Sequence, residues 1–335
     1  MRASFGALPH FFRKRESSRQ WRAASLVLAL MAVRHQTGQA LIDPAEPVTT
    51  PSSPEELKDA TRLAWDQSAV GWNSQTQAIH AWLADSTAAM LDAARIKPGM
   101  RVLDIAAGAG DQTLDIARRV GPDGHVLATD ISAAILQFAK DNAQHAGLPQ
   151  VQTRVCDAEN LKVNDAVFDA AVSRLGLMFC PAPLQALRQI HRALKPGGRA
   201  AALVFSGPQY NPCIGILMST ALQHAGLPPR DPFQPGSLLR LGKPGLLDEL
   251  LRQAGLADVS TSRIAAPFRL PSVADYLAFV RSSASPIVQL FGKLSPQAQE
   301  AAWAEMEVRL RAFQSTAGWE GQNELLLAAG TKPAG

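Results

Sequence analysis

Two aspartates and a loop built only of alanine and glycine are the residues of this chain whose spacing could do chemistry. Arg101 to Asp111 reads Arg-Val-Leu-Asp-Ile-Ala-Ala-Gly-Ala-Gly-Asp. Val102, Leu103 and Ile105 give a buried strand that stops in small residues, and apolar spacing resumes as a helix near Gln112. A strand, a tight turn and a helix make the first half of a nucleotide-binding unit. Gly108 and Gly110 let a ligand lie against the backbone, and the helix N-terminus behind them offers unpaired N–H groups. His125 to Thr129 reads as a second strand ending at Asp130, with Ile131 next and a helix from Ser132. A carboxylate at such a tip has two acceptor oxygens, enough for both hydroxyls of an adenosine ribose. Asp130 lies 20 residues past Gly110, a spacing that serves a nicotinamide dinucleotide equally well.

The elements that must hold these residues follow in alternation. A helix with Leu114, Ala117 and Val120 closes at Gly121-Pro122-Asp123-Gly124, and a helix with Ala133, Leu136 and Ala143 runs to Gly147. Val151 to Cys156 is a third strand, delivering Asp157 and Ala158. Phe168 to Phe179 is an apolar fourth strand with its exit, as a central strand covered on both faces should be. Ligands of open α/β sheets bind at the carboxyl ends of the strands, so Ser173 to Leu177 should border a site, with Arg174 the most available charge. A helix with Leu184, Leu187, Ile190 and Leu194 stops at Lys195-Pro196-Gly197-Gly198, and Ala200 to Phe205 is strand five.

Upstream, Trp65 and Trp72 are seven apart and share a helical face, either packed on the core or folded over the site. Downstream, Leu246 to Ala254 is a helix ended by Gly255, Val259 to Leu270 a sixth strand and Glu324 to Ala329 the last one. Two helices intervene. One is capped by Ser272 and Asp275; the other starts at Ser295 and Pro296 and carries Trp303, Met306, Leu310 and Phe313. Such an insertion over 271–322 either packs on the core or forms a lid.

The pattern Asp-x-x-x-Gly-x-Gly from Asp104 to Gly110 resembles the first motif of class I S-adenosylmethionine-dependent methyltransferases, with Ala106 where that family often has Gly. Asp130, Asp157, the Phe168–Phe179 segment and the Lys195–Gly198 turn follow in family order, over roughly residues 60–205. The branch it looks most similar to is that of ubiquinone and menaquinone biosynthesis. The resemblance implies a doubly wound, mostly parallel seven-stranded sheet, with a helical insertion near the C-terminus. It also implies S-adenosylmethionine as cofactor, with Asp104, Ala106, Gly108, Gly110, Asp130, Ile131, Asp157, Ala158 and Ser173 in its site. Asp104 would serve the methionine end and Asp157 the adenine amino group. The Asn-Pro-Pro-Tyr signature of amino-directed methyltransferases is absent where Ser173-Arg174-Leu175-Gly176 stands. No catalytic residue is singled out, and His80, His145, His191 and His224 are the bases available for consideration.

Composition fits a globular chain of 335 residues, 47% hydrophobic and 19% charged. Residues 1–40 hold seven basic residues against Glu16 alone, so the net +4 belongs to this end and the body is slightly acidic. That removes the argument for nucleic acid as a partner. The apolar run Ala23–Val33 is too short to span a bilayer, which takes about 20 residues. It suits a signal, a presequence or a mis-assigned start, ahead of a linker over 41–55 and a single domain over 56–335 with its core at 95–206. Cys156, Cys180 and Cys213 are far apart and suggest thiols of a reducing compartment, the cytoplasm, with no metal site.

The expected function is methyl transfer to a small molecule, C- or O-methylation of a quinone-like or other apolar metabolite, with oligomeric state open. The alternatives are an NAD(P)-dependent oxidoreductase and a catalytically silent protein that binds S-adenosylmethionine. Thr113, where a dinucleotide loop wants Gly or Ala, and Asp104, which would face a pyrophosphate, stand against the former.

Overall fold

The computed structural model describes residues 53–334 except 284–286, 288, 289 and 293. The basic extension over 1–40 and most of the 41–55 stretch lie outside the described residues. Helix α1 (Pro54–Ser74) begins where its cap dictates. Ser53 Oγ accepts from the Glu56 N–H at 3.2 Å, and Glu56 Oε2 from the Ser53 N–H at 3.3 Å, with Pro54 in the first turn. The linker expected through 55 therefore gives way to helix two residues early. Helix α2 (Thr76–Ala93) follows and buries Ile79, Leu83, Met90 and Leu91.

The strands β1 (Arg101–Ile105), β2 (His125–Asp130), β3 (Val151–Val155), β4 (Phe168–Arg174), β5 (Leu194–Phe205) and β6 (Ala257–Ala265) precede two short sheet pieces and a last long strand. Those are β7 (Phe268–Leu270), β8 (Gln314–Ser315), β9 (Gly318–Gly321) and β10 (Glu324–Thr331). One seven-stranded sheet runs in the order β3-β2-β1-β4-β5-β10-β6. The first five pair in parallel, and β10 runs antiparallel between β5 and β6. Helices α3 (Asp111–Val120), α4 (Ala133–His145), α5 (Pro183–Ala193) and α7 (Leu246–Gln253) link the strands, completing the doubly wound α/β fold. Strand order reverses at β1 and β4, so the crevice beyond their carboxyl ends is the ligand position of such sheets.

The sixth strand does not run to Leu270. The Ala266 N–H still donates to the Asn323 carbonyl at 2.8 Å, one step past the last β6–β10 pair, but Pro267 has no N–H to carry the ladder on. The chain then re-forms as β7 in a separate three-stranded sheet, β7-β9-β8. Strand five starts at Leu194, ahead of Ala200. Leu194 pairs with Phe168 and Arg199 with Ala170, so the Lys-Pro-Gly-Gly turn is a bulge inside β5.

The remaining helices are α6 (Pro212–His224), α8 (Val273–Ser283) and α9 (Pro296–Leu310). Ser295 caps α9 through the Ala298 N–H. Phe313, expected on its apolar face, falls in a following 3₁₀ turn and lies edge-on to Trp319, the largest fully buried side chain.

Candidate functional site

Ala106 and Gly108 turn the chain off β1 with φ of 56° and 58°, and Gly110 follows at 87°. At Gly110 a Cβ would stand 2.8 Å from that of Ala139 on α4, so glycine is required by conformation and by space. Ala106 adopts the same left-handed region with a side chain, which accounts for glycine being the common residue there in the resembling family.

Asp104 lies under the loop, fully buried, with β2 on one side and β4 on the other. Its oxygens accept from Gln112 Nε2 at 2.5 Å and Thr113 Oγ1 at 2.6 Å. Burial pushes its pKa up to about 7, against the opposing pull of those bonds and of the Arg174 charge. Asp104 thus ties β1 to the first turn of α3.

Asp130 ties the same loop to β2: Oδ2 accepts from the Gly108 N–H and Oδ1 from the Ser132 N–H, each at 3.0 Å. Burial raises its pKa above the ordinary carboxylate range. The backbone N–H groups of Ser132, Gly108 and Ile131 oppose that rise, and a carboxylate has about four acceptor sites in all. Asp157 Oδ1 accepts from the Glu159 N–H at 2.8 Å, while Oδ2 meets Lys58 Nζ at 2.9 Å. Lys58 also meets Glu159 at 2.9 Å. Burial opposes its charge, but the Glu159 and Asp157 carboxylates hold the ammonium protonated above its usual range.

Helix α1 closes this side. Asp66 accepts from Ser132 Oγ at 2.6 Å, and Trp65 sits edge-on to Trp72 at 5.2 Å and to Phe179 at 5.6 Å. Trp72 Nε1 lies 3.5 Å from where a Cβ on Gly108 would stand. The two tryptophans therefore cover the glycine loop.

A single cavity joins these groups. Of the nine expected cofactor residues, Ala106, Gly108, Asp130, Ile131, Asp157 and Ala158 line it. Asp104, Gly110 and Ser173 do not: they lie behind the wall as its support. The Ser173 hydroxyl is buried with no partner among the described residues, 3.1 Å from where a Cβ on Gly176 would stand. Arg174 reaches the cavity but is not a free charge. It donates to Thr87 Oγ1 at 2.8 Å and to both oxygens of Asp111 at 2.6 Å, and both members of that pair are buried. None of the four candidate histidines borders the cavity. His80 faces Asp115 and His224 faces Glu305.

Beyond the loop the cavity opens into an apolar chamber. Trp82 stacks on Phe268 at 4.7 Å and 11°, Phe279 meets Phe268 edge-on at 4.9 Å, and Phe205, Ile214 and Leu217 complete the wall. These residues come from α2, β5, α6, β7 and α8, which no local sequence pattern joins. Lys58 and Asp66 were equally invisible, since their partners stand about 70–100 positions away. No group of three or more His, Cys, Asp or Glu among the described residues could hold a metal ion.

The groove fits an adenosine-bearing cofactor on its own features: a glycine backbone at Gly108 beneath the tryptophans, the Asp130 carboxylate at the tip of β2 and a second carboxylate at Asp157. Residues 96–218 match the family model described as a methyltransferase domain. The ubiquinone/menaquinone biosynthesis C-methyltransferase UbiE of Bordetella parapertussis is 42% identical over 113 residues, 34% of this chain and 43% of that protein. The matched stretch thus spans less than half the length of this curated relative. In fold, the chain is similar to the YcgJ protein of Bacillus subtilis (TM-score 0.51, 19% identity, 75% of this chain and 100% of that one). It is similar also to the [4+2]-cyclase SpnF (TM-score 0.50, 21% identity, 81% and 97%).

Proposed function

We propose that this protein is a class I S-adenosylmethionine-dependent methyltransferase, built on residues 96–218 that match a methyltransferase-domain model, and that it methylates a small apolar acceptor, a quinol-like ring foremost. The observation that carries this reading is the continuity of one cavity, from Gly108, Asp130 and Asp157 to the chamber of Trp82, Phe205, Phe268 and Phe279. A polar cofactor groove that opened on solvent would suit a large or charged acceptor instead. The relatives named for C-methylation in quinone biosynthesis agree with a ring acceptor.

In this reading Asp130 accepts the ribose hydroxyls with its remaining lone pairs, with Ile131 beside it. Asp157 and the backbone of Ala158 take the adenine edge, and Ala106 and Gly108 pass beneath the ribose. Asp104, Gly110 and Ser173 keep the loop in shape from behind. S-adenosylmethionine, when bound, supplies a methyl group on a sulfonium, ready for in-line displacement. The chain's own task is to align the acceptor and exclude water, which can lower a barrier by about 7–11 kcal/mol. Trp65, Trp72 and Phe179 exclude water at the mouth, and the aromatic chamber holds the acceptor. Arg174 and Asp111 neutralise each other, and burial pushes the Cys180 thiol up to about 12, so neither serves as a base near neutral pH. The oxygens of a quinol make its ring nucleophilic, and the proton released when the methyl group is added passes to solvent water.

The three cysteines are free thiols, and we place the protein in the cytoplasm with a small molecule as its partner. No helix among the described residues is long and apolar enough to cross a membrane. The test is turnover: the full chain with S-adenosylmethionine and a panel of reduced naphthoquinols, benzoquinols and simple phenols, with S-adenosylhomocysteine quantified by chromatography. Acceptor-dependent product is expected from at least one quinol. Product from none of the panel would leave a silent binding protein and contradict the proposal.

A further inference from the structure

Tyr276 stands apart from the other polar groups of the chamber. It is 6% exposed and clamped, stacked on Trp319 at 4.1 Å and 20° and edge-on to Phe268 at 6.0 Å and 87°. Trp319 is itself fixed, its indole N–H donating to the Leu310 carbonyl at 2.9 Å. The other polar side chains around the chamber are engaged. Trp82 Nε1 donates to the Ala266 carbonyl at 2.7 Å, Ser283 Oγ to Phe279 at 2.6 Å, and Asn323 Nδ2 to Gly321 at 3.4 Å. The Tyr276 hydroxyl has no partner among the described residues, yet it is not one of the fully enclosed orphan atoms. Tyr276 is one of the residues that border the cavity.

A buried hydroxyl without a partner costs free energy that phenylalanine would not. A ring held this firmly cannot turn to find one. We infer that Tyr276 is the acceptor-positioning residue, donating its O–H to an oxygen of a flat ring held in the aromatic chamber. This rests on the methyltransferase reading and narrows its substrate class to oxygen-bearing arenes. The oxygen sets which edge of the ring faces the cofactor groove, because one fixed hydrogen bond and one fixed aromatic wall leave a planar ligand little freedom. Burial raises the phenol's pKa above its ordinary value, so Tyr276 remains a donor across the working pH range.

The test uses the full chain saturated with S-adenosylhomocysteine and equilibrium dialysis against two probes, 2-naphthol and naphthalene. The quantity read is the ratio of their affinities, which loss of packing alone would not move. Tyr276→Phe is expected to lower that ratio about 3- to 10-fold, the worth of one neutral hydrogen bond, with S-adenosylhomocysteine affinity unchanged. Tyr276→Met repeats the measurement if the phenylalanine variant fails to hold S-adenosylhomocysteine. An unchanged ratio, or wild-type protein that holds S-adenosylhomocysteine but neither probe, overturns the assignment. Wild-type protein that fails to bind S-adenosylhomocysteine overturns the methyltransferase reading beneath it.

Discussion

Asp104 stands at a motif position that the resemblance ties to the cofactor, and in the fold its carboxylate is held by two side chains of the following helix. Its two oxygens are taken by Gln112 and Thr113, and it does not reach the cavity wall. Its pKa, pushed up to about 7 by burial, has a consequence for stability. An unfolded aspartate loses its proton near pH 4, whereas the folded chain keeps this one until about pH 7. The folded state therefore loses relative stability as pH rises between those values, at most on the order of 1.4 kcal/mol per pH unit. Asp130, raised in the same direction, adds to the trend. Thermal melts of Asp104→Asn between pH 5 and 7.5 should be flatter than those of the wild type. Parallel curves would show that Asp104 is ionised throughout. The sequence displayed this aspartate plainly but not its partners, because Gln112 and Thr113 read only as the opening of a helix.

At the scale of elements, the site depends on how α1 and α8 cross. A Cβ on Gly71 would lie 1.8 Å from the Ser282 carbonyl oxygen, and Gln75 Nε2 donates to Ser282 Oγ at 3.2 Å. Glycine lets the helix that covers the cofactor groove touch the helix that carries Tyr276 and Phe279 into the chamber. Gly71→Ala should force the two apart, at a cost of about 1–3 kcal/mol typical of overpacking. A lower melting temperature together with weaker S-adenosylhomocysteine binding is expected, read by calorimetry. Unaltered affinity with a lowered melting point would show that the crossing supports the fold but not the groove. The tryptophan spacing within α1 was legible as a helical face. The crossing was not, because it depends on a backbone contact some 210 residues away in the chain.

For the molecule as a whole, the sheet was the most legible part, since apolar strands alternating with helical periods leave little choice of architecture. What escaped was non-local. The break at Pro267 was visible as a residue, yet nothing in the sequence says that Phe268–Leu270 pairs with Gly318–Gly321. The same limit hid the apolar chamber, whose lining residues meet only after five separate elements are in place. The motif residues were readable because they are consecutive and their loop is small. The division of labour among them was not, and six prove to face the cavity while three stand behind it.

We propose above all that the groove of Gly108, Asp130 and Asp157 takes the adenosine of S-adenosylmethionine. Its most direct test is calorimetric titration of the full chain with S-adenosylhomocysteine and, separately, with NADH, repeated on Asp130→Ala. Saturable S-adenosylhomocysteine binding, weakened at least 10-fold in the variant, with no NADH signal, is the predicted result. NADH binding without S-adenosylhomocysteine binding would contradict it, leaving the fold in place and the function assigned here wrong.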